Sequence, residues 1–195
     1  MRINLKRMIV GLAAVALLGT GSVFASPPAP SPGALQTDDD MAYLSGRASM
    51  LLAEIKKEAA ELTLHADTLG AFAGNPQQYS LSSHYSYLNK VKGHINAVGE
   101  RTAELQQIRH AVLPWQEQAI TEVTSHAAQV AASTQAAIVY LNENQGRHFV
   151  PEYRDHLTTI ADSSMDLKDT VGKFLEYEKA QQKVQQLQNE LELAD

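Results

Sequence analysis

The chain has no cysteine. That absence removes a disulfide framework, a thiol nucleophile, a lipid-modified cysteine and a C-x-x-C-H haem attachment together, so stability has to come from packing. Basic charge is scarce as well: 16 lysines and arginines stand against 22 aspartates and glutamates. Three of the basic residues, Arg2, Lys6 and Arg7, fall within the first 25 positions, leaving 13 against 22, or −9, for the rest. A nucleic-acid partner requires a basic stripe to neutralise phosphates, and this sequence has none. Gly-rich phosphate loops, the G-x-S-x-G nucleophile turn and the H-E-x-x-H zinc motif are all missing, and nothing calls for a cofactor. On those grounds the chain reads as a non-enzyme. There is no N-x-[ST] sequon, no strand-length alternating run and no repeat of the kind that builds a solenoid.

One long hydrophobic run is present, at the start. Arg2, Lys6 and Arg7 precede the uncharged segment Met8 to Phe24, which closes on the small-residue pattern Val23-Phe24-Ala25. Basic, apolar and small, in that order, is the layout of a secretory signal peptide cut after Ala25. An uncleaved anchor is the competing reading, but Gly19, Thr20, Gly21 and Ser22 weaken the second half of the span. The expected location is therefore secreted or periplasmic, as for a bacterial exported protein, with no membrane attachment after cleavage. Residues 26–37 are rich in proline and small side chains and read as an extended tether. Residues 38–195 then form one helical domain, about the size that one core can hold together.

Four helical patterns fill that domain. The first begins at Thr37-Asp38-Asp39-Asp40 and carries Leu44, Ala48, Leu51, Ile55, Leu62, Leu69 and Phe72 on one stripe, until Gly74-Asn75-Pro76 stops it. The second starts near Ser80 or Ser82, follows Leu88, Val91, Ile95, Val98 and Leu105, and runs towards Pro114. The third spans about Trp115 to Asn144. The fourth, Phe149 to Leu193, is the longest, with Tyr153, Leu157, Ile160, Leu167, Val171 and Phe174 on one face and Ser164 filling the gap. Short connections between helices of similar length predict an all-α, up-down-up-down antiparallel four-helix bundle. An opened pair of hairpins associating as a coiled-coil dimer is the alternative. At roughly 67 Å the fourth helix is too long for partners of about 45 Å, so it should overhang.

Two surfaces stand out. After Phe174 the apolar register shifts to Tyr177, Ala180, Val184, Leu187 and Leu191 among glutamines and charges, as in a short coiled coil. Val184, Leu187 and Leu191 are thus expected to meet the start of helix one, around Met41 and Leu44, or a second molecule; a frayed tail is the plain alternative. The expected partner class is a protein or another copy of the chain. The second surface is the end where that topology gathers His65, His84, His148 and His156 with several tyrosines. His65, His84 and His156 are the candidate metal ligands, since imidazoles from neighbouring helices suit zinc and similar metals. Ordinary surface pairs such as Glu61 with His65 explain much of the same pattern. His94 reads as solvated or partly packed, and Trp115 as a plug at the opposite end. Two functional readings follow: an exported non-enzymatic bundle acting through protein contact, or a periplasmic bundle binding a metal or small ligand through histidines at one end.

Overall fold

The computed structural model describes residues 38–75, 77, 80–144, 147 and 149–192. The segments read as signal peptide and tether lie outside these residues, as do Tyr79, His148 and Leu193. Four α-helices pack together: α1 Asp38–Gly74, α2 Leu81–Ile108, α3 Pro114–Glu143 and α4 Pro151–Glu192, with a short 3-10 turn at Arg109–Ala111 after α2. No strand occurs among the described residues, and no helix there is long and apolar enough to cross a membrane.

Each boundary has a local cause. Ser80, extended at φ −84° and ψ 161°, accepts a hydrogen bond from the Ser83 backbone N–H and so caps α2. Pro114 occupies the first turn of α3, where its missing N–H costs nothing. The Gln116 side chain reaches back to accept from the Leu113 N–H at 3.1 Å. α2 ends at Ile108, before the proline that was expected to stop it, because the chain tightens into the 3-10 turn and buries Ala111.

The stripes become the core. Leu51, Leu52, Ile55, Leu62 and Leu69 of α1 join Leu88, Val91, Val98 and Leu105 of α2, Ile120, Val123, Val130 and Leu141 of α3, and Tyr153, Leu157, Ile160, Leu167 and Val171 of α4 in one cluster. Ser164 is fully buried as the gap filler; its hydroxyl donates to the Ile160 carbonyl at 2.7 Å, which satisfies it inside the helix. α1 packs most closely on α4 and α2, and α3 on α4, whereas α2 and α3 meet less and α1 and α3 barely. Arg47 near the start of α1 pairs with Glu104 near the end of α2, while Phe72 near the end of α1 meets His84 near the start of α2. Tyr140 stacks on Tyr153, and Trp115 lies against Phe174 and Tyr177.

Candidate functional site

Helical spacing places Glu61 and His65 one turn apart on α1, and α2 brings His94 against them. One ligating atom from each of the three lies within 4.8 Å of the others, the one such group of three among the described residues. All three are half-buried. The His65 and His94 rings are 5.3 Å apart, and the edge of Tyr87 meets His65 at 5.6 Å. His94 Nδ1 is 2.6 Å from Glu58 Oε2, one turn before Glu61 on the same helix. Lys90 completes the surroundings, with its Nζ 4.2 Å above the Tyr87 ring. Burial holds the His65 pKa below the usual imidazole value; the positive charges of His94 and Lys90 push it the same way, and Glu61 opposes them.

The other two expected ligands stand elsewhere. His84 is fully buried, with Nδ1 3.3 Å from the Tyr153 hydroxyl and its ring on the edge of Phe72. Burial, with a contribution from Tyr85, raises the Tyr153 pKa, so this phenol keeps its proton. His156 is half-buried beside Tyr140, at 5.6 Å between ring centroids. His65, His84 and His156 are therefore joined through rings rather than by a shared ligand position: His65 touches Tyr87, Tyr87 touches Phe72, Phe72 touches His84, His84 touches Tyr153, Tyr153 touches Tyr140, and Tyr140 touches His156.

The second surface lies on the last part of α4. Every residue from Lys179 to Glu192 is exposed, including Val184 at 55%, Leu187 at 45% and Leu191 at 71%. Among the described residues, the side-chain hydrogen bonds from this segment stay on the helix, from Gln181 to Tyr177 and from Gln186 to Glu190. Where α4 leaves the core, Gln116 Nε2 donates to Ser49 Oγ at 3.0 Å and to the Ser45 carbonyl at 2.8 Å, and Ser49 Oγ donates to Glu178. Beside this network an open groove is lined by Ser45, Leu113, Trp115, Tyr177 and Val184. Trp115 is half-buried, and its Nε1 has no hydrogen-bond partner among the described residues.

Sequence reasoning missed Glu58, His94, Ser49, Gln116 and Glu178 as participants. His94 was within reach: reflecting α1 onto α2 about the turn near residue 77 sets His94 opposite Glu61. Gln116 gave no signal, because a glutamine in a first helical turn looks solvated until its partners are known. Comparison with protein-family models, with curated proteins and with solved structures finds no match for this chain.

Proposed function

We propose that this is an exported, non-enzymatic helical protein that acts through protein-protein contact, and that the last turns of α4 make the contact. The exposure of Val184, Leu187 and Leu191 at coiled-coil spacing carries this reading. It belongs with an up-down-up-down arrangement, supported by the Arg47 to Glu104 and Phe72 to His84 contacts, in which α4 overhangs the other helices. At about 63 Å, α4 is longer than α2 at about 42 Å and α3 at about 45 Å.

The partner this segment suits best is a second copy. Antiparallel pairing that sets Val184 against Leu187 of the other copy, and Ala180 against its Leu191, also sets Lys183 against Glu190 in both directions. Gln181 then faces Gln188. The hydrophobic seam and the charges agree on one register, which a segment built only for solubility has no reason to show.

Light scattering on the protein and on a version ending at Glu178 tests this. The intact chain is expected at twice its monomer mass at high concentration and the shortened one at its monomer mass, and Lys183→Glu, which sets glutamate against Glu190, should lower the melting temperature of the intact chain. Equal masses and equal melts would remove the contact surface. Export has its own check: N-terminal sequencing of the secreted form should begin at Ser26, and a start at Met1 would mark an uncleaved anchor.

A further inference from the structure

We propose that Glu61, His65 and His94 bind one divalent transition-metal ion, zinc or a cation of similar borderline softness, in a site that spans α1 and α2. The donor set is the first reason. Two imidazoles and a carboxylate suit zinc, copper, nickel or cobalt, whereas magnesium and calcium prefer oxygen donors alone. Spacing is the second. Tetrahedral zinc holds its ligand atoms roughly 3.3 Å from one another, and the three atoms here already lie within 4.8 Å. Small rotations about the side-chain bonds of half-buried residues close that gap.

The third reason is independent of the cluster. Glu58 accepts a hydrogen bond from His94 Nδ1–H at 2.6 Å, which selects the tautomer with a free lone pair on Nε2 and fixes the ring plane. A carboxylate behind a ligating histidine is the usual outer support of a metal site, and its negative charge strengthens the histidine as a donor. An ordinary surface ion pair gives no account of why the supported histidine also faces another histidine and a second carboxylate. Three protein ligands leave a fourth position for water or for a donor from a ligand.

Lys90 is the one lysine among the groups that act on His65. Against it stand Glu61 and Glu58, so the site with neutral imidazoles carries a net charge of about −1 before a cation enters. Removing Lys90 should therefore tighten binding without adding a ligand.

The test is calorimetric titration of the chelator-treated, dialysed protein with zinc chloride, with thermal melting alongside. One equivalent of zinc is expected to bind and to raise the melting temperature. His65→Gln and His94→Gln should each weaken binding at least tenfold, Glu58→Gln about tenfold, and Lys90→Gln should tighten it. His126→Gln, on α3 beside Thr170, should change nothing. Circular dichroism establishes that each variant folds, and Glu61→Gln gives a third ligand deletion if a histidine variant does not. Absence of zinc binding to the unaltered protein overturns the proposal. So does a folded His65→Gln/His94→Gln double variant that keeps one zinc at unchanged affinity.

Discussion

The two parts of α4 follow the same helical period and have opposite surroundings. Tyr153, Leu157, Ile160, Leu167 and Val171, the inward stripe of its first part, are each at most 1% exposed, on a helix packed against α1 and α3. From Lys179 onward every described residue is exposed, although Val184, Leu187 and Leu191 are no less apolar. Periodicity therefore reports which face of a helix is apolar and says nothing of whether that face has a neighbour. The two parts differ in their surroundings, not in their period: α4 has 42 residues against 28 in α2 and 30 in α3, and it is its last turns that stay exposed.

Substitution within each half should separate them most strongly. Ile160→Ala removes a fully buried side chain and is expected to lower stability by about 3 kcal/mol, whereas Leu191→Ala should stay within about 0.5 kcal/mol in dilute solution. Urea unfolding of the two variants measures both, and equal losses would abolish the distinction. Gln116→Ala acts at the boundary. It leaves the Leu113 N–H and the Ser45 carbonyl without their partner and releases Ser49. The expected cost is about 2 kcal/mol, with faster hydrogen exchange around Glu178 than around Leu157.

Gly172→Ala sharpens the picture from the stable side. The new methyl would come within 3.2 Å of Lys56 Nζ, the free end of a flexible side chain, and would otherwise meet open space. Helix propensity then predominates, and a gain of about 0.5 kcal/mol in chemical denaturation is expected; a loss would mean that the backbones of α1 and α4 are closer than a methyl group allows.

The smallest effect is a pH slope that belongs to neither half. His65 is held below the ordinary imidazole value of 6.5 in the folded protein, so the unfolded chain binds the proton first as pH falls. Its contribution is complete above 6.5 and is lost progressively below it. With chelator present, His65→Leu should flatten the stability profile below that pH, and ending the chain at Glu178 should not change the slope.

How much of this was legible depends on the distance over which each feature is encoded. Helix existence and the inward stripes were readable, because Leu157, Ile160 and Leu167 state their face through neighbours three and four positions away. His84 was readable as inward for the same reason. The Glu61, His65 and His94 cluster required the relative rotation of two helices, which no single stripe contains, and so His65 was grouped with His84 and His156 instead. Gln116 was unreadable by type: glutamine is buried here only because Ser45, Ser49 and Leu113 together satisfy its amide. The stop of α2 at Ile108 was missed because a proline marks where a helix cannot continue, not where it has already ended.

The lone tryptophan supplies an optical gauge at a useful place. Trp115 sits against Phe174 and Tyr177, beside the point where α4 leaves the core, so its emission colour and intensity should follow any docking or loosening of that segment without an added label. The histidine cluster lies about 20 positions further along α1 than Ser45, which lines the same groove as Trp115, or roughly 30 Å along the axis. Metal loading should therefore leave the emission nearly dark to change, and one cuvette can distinguish events at the two surfaces by whether the spectrum moves.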